Sequence, residues 1–153
     1  MTSLFYGHPL SDTLFGLPIE IYLTPGIIYH YHSSVQSSAV EVVLGVKAYY
    51  TIPLPWRVRI GAAEGISYIN NVTYYEAKSM ADKGLVPSRL LNYLDISIDL
   101  NLGDVFNSET FQDLWLGYAI HHRSGIFGTS SAFGRISGGS NFPSVYLQWS
   151  HNF

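Results

Sequence analysis

Period-two alternation of apolar and polar residues runs through most of this chain and predicts a succession of β-strands. In 39–51, Val40, Val42, Leu44, Val46, Ala48 and Tyr50 share one face, and Glu41, Gly45 and Lys47 the other. Segment 56–70 sets Trp56, Val58, Ile60, Ala62, Ile66 and Tyr68 against Arg57, Arg59, Gly61, Gly65 and Ser67; Glu64 interrupts its apolar side. In 90–103, Leu90, Leu94, Ile96, Ile98, Leu100 and Leu102 alternate with Tyr93, Asp95, Ser97, Asp99, Asn101 and Gly103. Segment 112–124 carries Leu114, Leu116, Tyr118 and Ile120 on one face, which then continues into His122 and Ser124. Its other face is Trp115, Gly117, Ala119, His121 and Arg123. Further strands are predicted at 2–7, 17–32 and 142–153.

The connections read from turn chemistry. His8–Gly16 is predicted as a turn, 33–38 as a polar loop, Ile52–Pro55 as a tight connection and Asp104–Phe111 as a polar turn. Pro25-Gly26 marks a bulge or kink inside the second strand. Val72–Gly84 has the composition of one or two helical turns, capped by Gly84 and stopped by Pro87. Gly125–Asn141 is a glycine- and serine-rich loop.

Alternation alone fits two facings, apolar side inward in a soluble sandwich or barrel, or apolar side outward in a membrane. The strands are about 10–15 residues long, against about 5–6 in soluble sheets and about 9–11 for a tilted membrane-spanning strand. Aromatic residues make up 15% of the chain and charged residues only 12%, where soluble domains carry roughly 25% charge. The faces opposite the apolar ones carry both signs of charge, so they can pair across a narrow lumen. These features select an all-β fold: one domain over 1–153, an antiparallel up-and-down transmembrane β-barrel. The closing Phe153 resembles the C-terminal assembly signal of bacterial outer-membrane proteins.

Loop lengths give an orientation, because short turns of such barrels face the periplasm and long loops face outside. The connections 33–38, 71–89 and 125–141 then lie outside, and strand 112–124 runs outward. Strand 2–7 begins at the outer surface, so an even strand count needs one more strand. The expectation is an eight-stranded design with about seven strands in this chain and the N-terminal strand missing from it.

Several classes of chemistry are disfavoured. With no cysteine there is no disulfide, thiol nucleophile or thiolate metal site. No Lys/Arg cluster suggests nucleic acid, and no apolar run is long enough for a transmembrane helix. His30 and His32 share a face, but two ligands do not close a metal site. Neither a metal nor an organic cofactor is implied. Tyr50, Trp56, Tyr68, Trp115 and Trp149 fall near strand ends, where aromatic girdles sit. Asp95 and Asp99 read as partners of Arg57 and Arg59.

The candidate chemistry lies at the outer end of strand 112–124. His122 and Ser124 are two apart on one face, and a histidine beside a serine hydroxyl is a general base beside an acyl-transfer nucleophile. His122-Arg123-Ser124, late in a small barrel and followed by a glycine-rich loop and a last strand, resembles the outer-membrane lipid A 3-O-deacylase (acyloxyacyl-hydrolase-like) family. The resemblance implies an eight-stranded barrel, Ser124 as nucleophile and His122 as base, with a glutamate orienting the base. No Asp or Glu follows Ser124 in this chain. Asn141 stands near the expected place of that acid and is the candidate orienting residue. Gly125 stands where the family often has an oxyanion-stabilising Asn, so its backbone N–H is the candidate donor. Glu64, on an apolar face, is the other candidate acid.

The expected function is hydrolysis of an acyl ester of lipopolysaccharide at the outer leaflet of a Gram-negative outer membrane. Lipid A and outer-membrane lipids are the expected partners, and the sequence specifies no oligomeric state. The alternative is a non-catalytic small barrel that stabilises the membrane or binds a partner through 71–89 and 125–141.

Overall fold

The computed structural model describes residues 1–82, 84, 86–124 and 139–150. Its strands are β1 (Thr2–Phe5), β2 (His8–Ser11), β3 (Ile19–His30), β4 (Ala39–Ile52), β5 (Val58–Ile69), β6 (Leu90–Asn101), β7 (Leu114–Ser124) and β8 (Gly139–Trp149). Helix α1 (Tyr74–Asp82) lies between β5 and β6; helix α2 (Leu102–Phe106) and a 3-10 turn, Glu109–Phe111, join β6 to β7. All strands belong to one curled antiparallel sheet in which β3 to β8 follow chain order and β1 and β2 both pair with β3. The strand segments therefore occupy seven positions. With every pairing antiparallel, the first and seventh positions run in the same direction.

The break between β1 and β2 has a cause in β3. Pro25 carries no N–H, and its carbonyl accepts from Tyr6 N at 3.0 Å, so its donor-less side faces β1 and β2. The ladder to β4 continues through Pro25↔Leu44 without a shift. The interruption thus falls on the neighbouring strand rather than as a bulge in β3 itself. Beside it, Gly26 leaves the space that the ring of Phe5 fills; a Cβ there would collide with that ring. Phe5 then stacks on His121 at 5.9 Å between ring centroids.

Three connections differ from the sequence expectation; in one, Gly139–Asn141, expected in the last loop, already belong to β8, which ends at Trp149. Residues 8–11, expected in a turn, form β2, because Pro9 is tolerated on a strand that pairs on one side only. The region expected as the polar turn Asp104–Phe111 holds α2. Asn101 caps it, its side chain accepting from Asp104 N at 3.0 Å. Asp104 also grips Arg57 through Nε at 2.9 Å and Nη2 at 3.0 Å. That guanidinium holds the Asp104 carboxyl below its usual range.

The facing of the sheet is polar inside and apolar outside. Arg59 and Asp99, 2% and 1% exposed, pair at 2.9 Å on the concave side. Lys47 pairs with Asp95 at 2.5 Å, and Arg123 with Glu76 at 2.5 Å. Tyr49 Oη donates to Gln148 Oε1 at 3.0 Å, and Arg59 reaches the same oxygen at 3.0 Å, so β4 and β5 touch β8 across the interior. A small apolar cluster of Ile28, Val43, Ala63 and Tyr93, with Phe5 against it, accompanies these pairs. Buried charges are costly unless paired and hydrogen-bonded, and each of these has its counter-charge. On the convex side Val42, Leu44, Ile60, Ile66, Ile98, Leu116, Ile120 and Leu147 are exposed, and Ile96 and Val145 are 71% and 72% exposed. This is far more contiguous apolar surface than a soluble monomer shows to water. Among the described residues no helix is long and apolar enough to cross a membrane.

Candidate functional site

Strand β7 divides its last four residues between the two sides of the sheet. His121 and Arg123 are buried inward, and His122 and Ser124 point outward, half-buried. Arg123 fixes this end of the strand. Its Nε donates to Ser67 Oγ at 2.9 Å and lies 3.2 Å from Glu41 Oε1; Nη1 reaches Glu76 Oε2 at 2.5 Å and Nη2 the carbonyl of Arg89 at 3.2 Å. The buried guanidinium ties β4, β5, β7 and α1 together. It thereby sets the backbone that presents His122 and Ser124. Burial pushes the Glu76 carboxyl up, while Arg123 opposes that shift.

On the outer side, the register places Leu94 and Asn141 on either side of His122, and Asn92 and Gly139 on either side of Ser124. His122 Nδ1 and Asn141 Oδ1 are 2.6 Å apart. With the amide oxygen on that side, Nδ1 carries the proton and donates it to Asn141. Nε2 is then the basic nitrogen, the tautomer a general base requires. No hydrogen bond joins His122 to Ser124; their same-face spacing along the strand is about 6.7 Å between Cα atoms. Substrate-free sites often hold such pairs apart until substrate binds.

Asn92 was not a candidate from sequence, since only strand register brings it beside Ser124. Directly opposed residues have Cβ atoms about 4.5–5.5 Å apart, so its amide stands within reach of a group attached to Ser124. Glu64 lies on the same outer row as His122, with Leu94 between them. Two strand spacings put it about 9.5 Å away along that row, and the contact to His122 belongs to Asn141 instead. Gly125 lies outside the described residues. Elsewhere, His30 pairs with Glu41 at 2.8 Å, Asp99 pairs with Arg59, and Asp95 with Lys47 rather than with Arg57.

Below the site the outer surface is grooved. Ala48 and Ala62, small residues between larger ones, help form a depression of about 570 Å³ walled by Ile60, Ile96, Tyr118 and Ile120. The depression reaches Ile120, which precedes His122 by two residues on the same face of β7. Its walls are almost wholly apolar, which suits a hydrocarbon chain. Compared with known proteins, the chain matches no family model, no curated protein and no solved structure.

Proposed function

We propose that this chain is a membrane-embedded β-barrel esterase that cleaves an acyl ester of lipid A in the outer leaflet of a Gram-negative outer membrane. The observation that carries the reading is the His122–Asn141 hydrogen bond, which leaves Nε2 basic on an apolar outer face shared with Ser124. The inverted facing supports the membrane setting, since only lipid accepts that apolar surface without cost.

Ser124 Oγ attacks the ester carbonyl as its proton passes to His122 Nε2. Asn141 holds the ring and accepts from Nδ1 as the imidazolium forms. The Asn92 amide and the backbone N–H of Gly125 are the donors assigned to the oxyanion. His122 returns the proton to the leaving alkoxide, and water then hydrolyses the acyl-Ser124 ester. The groove beside Ile120 holds the acyl chain. An amide orients the ring without a compensating negative charge, so turnover is expected to be slower than with a carboxylate partner.

The test is mass spectrometry of lipid A from Gram-negative cells expressing the protein or its Ser124→Ala variant. Loss of one ester-linked acyl chain is expected with the first and an unmodified lipid A with the second. Full acylation in both, with each protein folded in the outer membrane, would sink the esterase reading.

A further inference from the structure

A second constellation lies on the opposite side of the same strand. Asp95, His121 and Ser144 come from three adjacent strands, β6, β7 and β8, and the register sets Asp95 directly across from His121. Ser144 Oγ is 2.9 Å from His121 Nε2. Asp95 Oδ2 lies 3.0 Å from His121 Nδ1 as a charge neighbour, without a hydrogen bond to it or to any other described group. Tyr93 Oη also approaches Nδ1, at 2.6 Å. Asp95 Oδ1 is held by Lys47 Nζ at 2.5 Å. A hydroxyl hydrogen-bonded to an imidazole, with a carboxylate 3.0 Å behind the ring, is a relation that can activate a serine.

These groups open onto space. A cavity of about 800 Å³ runs between the β1 and β2 side and β8, and Asp95, His121 and Ser144 all line it. Its remaining walls include the rings of Phe5, Tyr49, Tyr93 and Tyr146. Among the described residues the charged side chains of the wall are Lys47, matched by Asp95, and Asp12, so the cavity disfavours an anion and suits a neutral ligand with an apolar or aromatic arm.

We propose that Ser144, His121 and Asp95 form an internal hydrolytic centre for small neutral carboxylic esters, independent of the outward-facing Ser124. Ser144 Oγ bonds to the ester carbonyl carbon while its proton moves to His121 Nε2. The carbon–oxygen bond to the alcohol breaks and the alkoxide leaves with that proton. Water then adds to the acyl-Ser144 ester, giving its proton to Nε2, and the carboxylic acid departs as Oγ is reprotonated. Tyr93 Oη accepts from Nδ1–H and keeps that proton in place, so Nε2 remains the base, while the nearby Asp95 carboxylate stabilises the imidazolium electrostatically.

The experiment is active-site labelling of the full chain, refolded in detergent micelles, with a short-chain alkyl fluorophosphonate, followed by peptide mass mapping. Folding is checked in every sample by heat-modified gel mobility. An adduct on Ser144 is expected, absent in Ser144→Ala and formed about a hundredfold more slowly in His121→Ala. Added imidazole should restore part of the rate in that variant, which a merely structural role for the ring would not produce. Folded protein without an adduct on Ser144 would overturn the proposal, as would equal labelling rates with and without His121. An adduct confined to Ser124 also overturns it, while leaving the outer site standing.

Discussion

Replacing Arg123 by methionine is expected to cost about 3–5 kcal/mol, the penalty for removing one partner of a buried ion network. The guanidinium is 1% exposed and contacts Glu41, Ser67, Glu76 and the Arg89 carbonyl. Methionine fills the volume and supplies none of these donors. The deficit depends on pH, with a sign that follows from Glu76. Burial already raises its carboxyl above the usual value even with Arg123 present, and the substitution removes the opposing charge. A group whose folded pKa is raised contributes stability below its unfolded pKa and loses it as pH rises through the folded one. The variant is therefore expected to be closest to the parent in acid, below the unfolded carboxyl range, and to fall further behind as pH rises. Denaturant titrations of both proteins in lipid vesicles at several pH values measure this. A deficit that grows as pH falls would contradict the assigned network.

A second large effect is expected on the outer face. Ile96 is 71% exposed and lies midway along β6. In a water-soluble sheet an Ile96→Arg change at so open a site would fall within about 0.5 kcal/mol of neutral. On the lipid face of a barrel the same change costs about 2–4 kcal/mol at the bilayer midplane and about 0–1 near the interface. Leu90, the first residue of the same strand, gives the matching control. Folding free energies in vesicles should show Ile96→Arg losing several times more than Leu90→Arg. Equal, small losses at both positions would assign the convex face to water.

The parts of this fold that were legible in the sequence are those governed by strict alternation. Strands β4, β6 and β7 come out within a few residues because their apolar and polar faces differ at nearly every step. The segment β2 was hidden because His8-Pro9 carries turn chemistry, which an edge strand tolerates. Helix α2 was hidden because Asn101 and Gly103 continue the alternation of β6. Asn101 nevertheless turns the chain by capping, and Asp104 in the first turn was the available signal. At the site, the outward facing of His122 and Ser124 followed from period two. The nearness of Asn141 to His122 follows from hairpin register, whereas in the sequence it was a candidate only through the place of the acid that the family resemblance implies. Asn92 and the cluster of Asp95, His121 and Ser144 were not legible, because residues on separate strands become neighbours only when register is known. A one-residue slip would send His121 outward and dissolve the internal cluster.

The proposed esterase depends on the apolar convex face meeting lipid, which would carry His122 and Ser124 to a lipid substrate. The chain has no cysteine, so single spin labels can be introduced without competition at Ile96→Cys and Ile98→Cys, with Ser97→Cys as the inward control. In phospholipid vesicles, labels at 96 and 98 are predicted to collide with dissolved oxygen far more than with a water-soluble nickel chelate, and the label at 97 to lose that preference. Free access of the chelate to both 96 and 98 would contradict the account.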